Sequence, residues 1–322
     1  MANTTTPFLS VIAPLYNEEL NVGRLHEAIV AALDHSRFAG HYELVFVDDG
    51  STDATYARLE ELAAIDPQVK VVRFRRNYGQ TPAMAAGIDH ASGKILVTMD
   101  GDLQNDPRDI EKLVSCVETD ADIAVGWRFD RQDKLITRKV PSRIANWIIG
   151  KVTGVPIKDN GCSLKAYRSS VIKKVPLYSD MHRFIPALSS ITGARITECK
   201  VRHNAREFGE SKYGLSRVYK VIFDLLSIKM ITAFAFQPLL WFSLLALPFV
   251  LLVLASLAWV TAIWSSGAGA SIVLPSGVLI VSLSAAVFLV VCGVISELIT
   301  RSSGRRPGDM AILTALDSAA EK

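Results

Sequence analysis

Between Lys229 and Glu297 the chain has no aspartate, glutamate, lysine or arginine. A solvated helix does not run that far without a charge, and buried core helices seldom do. Two apolar runs fill the stretch, at about 238–263 and 273–296, with the short polar turn Ser265–Ala270 between them. Each is longer than the roughly 20 helical residues that cross a hydrocarbon core. Pro248 inside the first run is tolerable, because neighbouring groups in a membrane re-satisfy the freed carbonyl. The expectation is a transmembrane hairpin with both ends on one side. Lys212, Arg217, Lys220 and Lys229 before it, and Arg301, Arg305 and Arg306 after it, make that side cytosolic by the positive-inside rule. The opening residues MANTTTPFLS lack the basic, apolar and small-residue order of a signal peptide. An integral protein of the cytoplasmic (inner) membrane follows, with its soluble domain and both termini in the cytosol.

Cysteine is also scarce. Cys116, Cys162, Cys199 and Cys292 stand alone, with no CxxC pair, which argues against a zinc site or a disulfide framework. The net charge of +3 gives no case for nucleic acid as a partner. There is no internal repeat and no low-complexity segment.

The first 130 residues alternate short apolar runs with helical patterns. FLSVIAP, YELVFV, VKVVRF, KILVTM and ADIAVG are expected strands. Val22–Leu33, Ala54–Ala64, Thr81–His90 and Pro107–Val117 are expected helices. Continuous Val, Ile and Leu strands separated by helices mean an α/β fold with a mostly parallel sheet covered on both faces. Ligands of such sheets bind beyond the carboxyl ends of the strands. The polar clusters PLYNEE, DDGSTD, RRNYGQ and DGDLQND follow four successive strands, so four strand ends converge on one rim. Beyond Lys134 the alternation breaks down. Leu215–Phe236, apolar with Arg217, Lys220 and Lys229 spaced along it, reads as helices lying in the headgroup layer, with a plain core helix as the alternative. The expected division is 1–213 for the soluble domain, 214–236 for interfacial helices, 237–299 for the hairpin and 300–322 for a cytosolic tail.

Asp100 and Asp102, separated by Gly101, put two carboxylates at one turn, and Gly101 lets backbone come close without a Cβ. Hard oxygen ligands suit Mg2+ or Mn2+ bridging nucleotide phosphates, and Gln104 adds a carbonyl oxygen. A calcium loop fails, because Asn105 stands where glycine is needed and Pro107 follows. Asp106 is the expected cap of the helix that begins at Pro107, and Asp53 of the helix after Ser51. Asp48 and Asp49 remain at a strand tip with no structural need, able to accept from the ring N–H of uracil or guanine. Pro14 and Tyr16 offer a wall for a base, with Asn17 and Glu18 as ribose partners. Arg75, Arg76, Gly79 and Gln80 lie at a loop-to-helix junction that attracts phosphate. Further along stand Arg128, Arg131, Arg138, Arg143, Arg202, Arg206 and Lys212; arginine forks match phosphate oxygens in pairs.

Taken in order, VIAPLYNEE, DDGSTD, RNYGQT, MDGDLQ, DNGCSLKAYR and GESKYG resemble family 2 glycosyltransferases of the polyisoprenyl-phosphate type, from about Leu9 to Tyr213. The resemblance implies a GT-A fold, Rossmann-like with a mostly parallel sheet, followed by the two-helix hairpin, and an inverting sugar transfer. It implies Asp100 and Asp102 at a divalent cation and the diphosphate, with Gln104 close by, and Tyr16, Glu18 and Asp48 on the nucleoside. Arg128 and Arg143 would hold the lipid phosphate, completed by Arg206, Ser211 and Lys212, with Arg131 nearby. None of the five tryptophans lies in a QxxRW motif, which argues against polymerisation. An acceptor phosphate is already anionic, so the lack of an obvious histidine base is expected, with Asp159 either a helper or a residue that caps or orients a loop. The expected reaction moves glucose from UDP-glucose to undecaprenyl or a related polyprenyl phosphate. GDP-mannose or a UDP-aminoarabinose donor, or a non-catalytic nucleotide-binding anchor, are the alternatives. Membrane lipid, further copies of the chain in a homo-oligomer, and a separate flippase complete the expected partners, since two spans are too few to carry a sugar phosphate across.

Overall fold

The computed structural model describes residues 7–129, 146–147, 149–151, 154–175, 177, 181–190, 193–204, 237–266 and 271–302. The chain divides into two units, Met1–Ile228 with Leu313–Lys322, and Lys229–Ile312.

The first unit is built on a seven-stranded sheet. β1 (Leu9–Leu15), β2 (Tyr42–Asp48), β3 (Val69–Arg73), β4 (Ile95–Thr98), β5 (Ile123–Arg128), β6 (Lys165–Arg168) and β7 (Ile196–Val201) lie in the order β3-β2-β1-β4-β6-β5-β7. β1 to β4 pair in parallel, and β5 pairs in parallel with β7. β6 alone runs the other way, between β4 and β5. The register aligns the tips: Leu15 sits beside Asp48, Asp48 beside Arg73, and Thr98 beside Lys165. The carboxyl ends of six strands and the start of β6 therefore form one rim. β2 is buried at every position, as expected of a central strand covered on both faces.

Helices α1 (Val22–Asp34), α2 (Thr55–Ile65), α3 (Gln80–His90) and α4 (Ile110–Thr119) connect the strands, close to their expected bounds. α1 buries Val22, Leu25, Ile29 and Leu33, and α4 buries Ile110, Leu113, Val114 and Val117. Each such apolar side chain contributes about 1.5–3 kcal/mol when taken out of water. Asp106 caps the Pro107–Asp109 turn that leads into α4, accepting from the Arg108 N–H at 3.0 Å, as expected.

β6 and β7 were not expected. KAYR is only four residues with two cations, and ITECKV is half polar because β7 is an edge strand paired only with β5.

In the second unit, α5 (Pro238–Ser266) and α6 (Val273–Ser302) pack on each other, and both are long and apolar enough to cross a membrane. α5 passes through Pro248 without a break. Trp241 and Trp264 are about 35 Å apart along α5 at 1.5 Å per residue, the spacing of two aromatic belts. A Cβ on Gly293 of α6 would lie 2.9 Å from Phe242 Cβ, so the helices touch backbone to side chain there. The segment 214–236, expected as interfacial helices, lies outside the described residues.

Candidate active site

The tips of β1 and β2 are tied together by side chains. Asn17, at φ +54°, accepts from the Thr52 N–H at 2.9 Å and donates its own N–H to Ser51 Oγ. The Glu18 N–H donates to Thr55 Oγ1 at 2.8 Å, and its carboxylate accepts from the Asn21 amide. Asp53 accepts from the Thr55 N–H at 3.0 Å at the start of α2. Asn17, read from sequence as a ribose partner, thus spends its carbonyl oxygen on the loop. Pro14 and Tyr16 lie half-buried on the same tip.

Asp48 and Asp49 correct another expectation, because both have structural work. Asp49 accepts from the Tyr78 and Gly79 N–H groups at 2.7 and 2.9 Å, fixing the start of α3, where Gly79 takes φ +100°. Burial raises its pKa, against those two hydrogen bonds. Asp48 is fully buried; Oδ1 accepts from the Ser51 N–H at 3.0 Å. Its Oδ2 has no hydrogen-bond donor among the described residues and lies 3.7 Å from Arg73 Nε. The turn after it closes on Gly50, φ +67°, where a Cβ would come within 2.3 Å of the Arg76 backbone. Arg76 itself is exposed, 4.7 Å over the Tyr78 ring.

At the β4 tip, Gln80 donates to Asp100 Oδ1 at 2.6 Å, so Gln80 orients a carboxylate. Asp102 is buried and accepts from the Gln104 N–H at 3.2 Å. Burial, then the neighbouring Asp102, push the Asp100 carboxyl up. Two carboxylates that repel each other across a buried turn are a donor set that fits a hard divalent cation. Gly101 has a packing reason of its own. A Cβ there would meet Leu15 Cδ2 at 2.2 Å, so the missing side chain makes room for β1. Leu103 at φ +60° completes the turn.

Asp159 orients a guanidinium. Its Oδ2 accepts from Arg128 Nε at 2.7 Å and its Oδ1 from Arg128 Nη2 at 2.8 Å, and both side chains are largely buried. Both carboxylate oxygens are engaged, so it is not a free base. Burial works against the Arg128 charge, and the Asp159 hydrogen bonds and charge more than offset it, so the guanidinium is held above its ordinary value. The pair lies over Gly161, whose Cβ would be 3.3 Å from Arg128 Nη2. Arg128 thus faces the rim with part of its fork already spent. Arg131, Arg143, Arg206, Ser211 and Lys212 lie outside the described residues.

Three residues on this rim were missed from sequence. Lys165, at the start of β6, is buried with Nζ 3.4 Å from the Asn160 carbonyl. Burial lowers its pKa to about 8, opposed by Cys162, Asp159 and Asp100 and helped by Arg183. His182 shares a 2.7 Å hydrogen bond with Thr81 at the start of α3. Lys165, His182 and Arg183 line one small pocket together with Gln80 and Asp100. The signal in DNGCSLKAYR was a lysine embedded among residues that pack, and only the reversed β6 brings it beside Asp100.

Residues 10–176 match the family described as Glycosyl transferase family 2. Over 301 residues the chain is 43% identical to the dodecaprenyl-phosphate galacturonate synthase of Rhizobium johnstonii, covering 91% of this chain and 88% of that one. It is 41% identical over 225 residues to the undecaprenyl-phosphate 4-deoxy-4-formamido-L-arabinose transferase of Edwardsiella ictaluri, covering 69% and 68%. In fold it is similar to the Mycobacterium tuberculosis glucosyl-3-phosphoglycerate synthase solved with Mn2+, UDP and phosphoglyceric acid, with TM-score 0.53, 18% identity and coverage of 70% and 78%. The fold is GT-A and the chain is a glycosyltransferase. It belongs to family 2, and within it to the polyprenyl-phosphate type that its motifs resemble.

Proposed function

We propose that this protein transfers one hexuronic acid unit from a uridine diphosphate sugar to a polyprenyl phosphate at the cytosolic membrane face. The observation that carries the reading is the rim pocket, lined by Asp100, buried Lys165, His182 and Arg183, with Asp102 two residues further along the same turn. The acceptor class rests on the two kinds of relative, named for dodecaprenyl and undecaprenyl phosphate. The sugar class rests on charge. A sugar carboxylate would add a charge-assisted hydrogen bond to buried Lys165 that a neutral hexose such as glucose, the expectation from sequence, would not. The relative named for galacturonate also aligns through most of the chain.

Asp100 and Asp102 are the residues that would hold Mg2+ or Mn2+, with Gln104 beside them; bound there, the cation supplies positive charge to the leaving diphosphate. Asp48 Oδ2, an acceptor without a donor among the described residues, suits the N3–H of uracil once the surrounding tips part to expose it. An oxygen of the acceptor phosphate attacks the anomeric carbon on the side opposite the diphosphate. The new C–O bond forms as the bond to the diphosphate breaks, the diphosphate keeps the electron pair, and the anomeric centre inverts. No proton has to be removed from the anionic acceptor. What the protein supplies is charge and alignment. Arg128, fixed by Asp159, faces the acceptor side, and Arg131, Arg143, Arg206, Ser211 and Lys212 complete it in this proposal.

The test is a donor panel at equal concentration with polyprenyl phosphate: UDP-galacturonate, UDP-glucuronate, UDP-glucose and UDP-4-deoxy-4-formamido-arabinose. A uronate donor preferred at least tenfold supports the reading. Equal or better use of UDP-glucose contradicts the sugar class, and no lipid-linked product from any donor contradicts the acceptor class.

A further inference from the structure

The face of β5 and β7 away from α4 carries aromatic rings and lysines exposed together. β5 alternates, so Arg128 turns to Asp159 while Trp127 and Phe129 share the other face. Their rings meet edge to face at 5.2 Å, and Phe129 is 62% exposed. Lys158 Nζ stands 4.1 Å over the Trp127 ring, and Lys200, register partner of Trp127 on the edge strand, stands 4.3 Å over Phe129. Asn146 holds the neighbouring segment in place, donating to the Lys158 carbonyl at 2.6 Å. That segment adds Trp147, 66% exposed, with Lys151 Nζ 5.5 Å from its ring. The nearby Glu198 carboxylate accepts from the Lys158 backbone N–H, so it is turned to the chain.

We propose that this patch docks the catalytic unit on an anionic bilayer surface. Exposed Trp and Phe cost free energy in water, and a cation over a ring recovers only part of it at an exposed site. The headgroup layer satisfies both parts at once: rings enter its apolar boundary while the ammonium groups meet lipid phosphates. A bilayer is always within reach, because two helices apolar enough to cross it begin 34 residues after Asn204. The tether makes even weak docking effectively intramolecular. The patch lies one residue along the same strand from Arg128, so docking brings the rim to headgroup level. The inference rests on the apolar helices and on no particular sugar.

The experiment uses the full chain in nanodiscs, with its own thiols replaced by alanine or serine and one environment-sensitive label at a time. Labels go at Phe129→Cys and Trp147→Cys, with Trp264→Cys on α5 as a membrane control and exposed Ile65→Cys on α2 as a solvent control. Discs contain headgroup-region spin-labelled lipid and either phosphatidylcholine alone or a mixture with phosphatidylglycerol. Expected is at least twofold quenching at 129 and 147 in the anionic discs, none at 65, and a loss of most of it in Lys158→Glu/Lys200→Glu. Quenching at 264 with none at 129 and 147 overturns the proposal. So does quenching that ignores both phosphatidylglycerol and the charge reversal. The readout needs no turnover, so it fails independently of the donor assignment.

Discussion

Arg128 and Asp159 form a two-bond pair at the end of β5, 2.7 and 2.8 Å long, laid over the bare Cα of Gly161. The carboxylate is therefore an orienting group for a guanidinium. Breaking a buried pair from one side costs about 3–5 kcal/mol. Asp159→Ala and Arg128→Ala should each lower Tm and cut kcat/KM by a similar factor, and the double variant should be little worse than the poorer single one. A base at Asp159 predicts something else: Asp159→Asn would lose far more activity than Arg128→Ala and would remove an ionisation from the pH profile.

Lys165 gives a pH signature. Burial holds its ammonium down to about 8, so the free enzyme loses this charge as pH rises past about 8. The profile of kcat/KM reports free-enzyme ionisations. For a uronate donor kcat/KM should fall above about pH 8, and fall less for a neutral sugar. Lys165→Arg, whose guanidinium stays charged, should flatten the fall. An unchanged fall in Lys165→Arg would assign the ionisation elsewhere.

Gly101 separates two reasons for a glycine in the aspartate turn. With Leu15 Cδ2 at 2.2 Å from the added Cβ, Gly101→Ala should overpack the site by about 1–3 kcal/mol and lower Tm. A variant with wild-type Tm that has lost only donor binding would instead mean that a ligand comes close there.

How much of this was legible beforehand differs by element. β1 to β4 and their helices followed from continuous apolar runs, and the polar tips marked the rim. The short β6 and edge β7 carry too few apolar residues to announce themselves. With β6 hidden, Lys165 could not be placed beside Asp100. Asp49 and Asp159 were legible as carboxylates near the site, but their partners come from 29 and 31 residues away along the chain, and only the fold supplies them.

The hairpin offers an internal comparison. Gly293 is packed against Phe242 and Leu239, whereas Gly277 on the same helix has nothing within 4 Å of an added Cβ. Gly293→Leu should force the helices apart and lower the melting temperature in detergent. Gly277→Leu should leave it unchanged. Equal effects would mean that the two helices do not meet at Gly293.

The central claim is tested most directly by following label from UDP-galacturonate into polyprenyl phosphate, with wild type beside Asp102→Ala and with EDTA beside added Mg2+ or Mn2+. The account predicts lipid-linked sugar from wild type with metal, and a loss of at least 100-fold in both the variant and the chelated sample. Full transfer by Asp102→Ala, or transfer indifferent to EDTA, would contradict it.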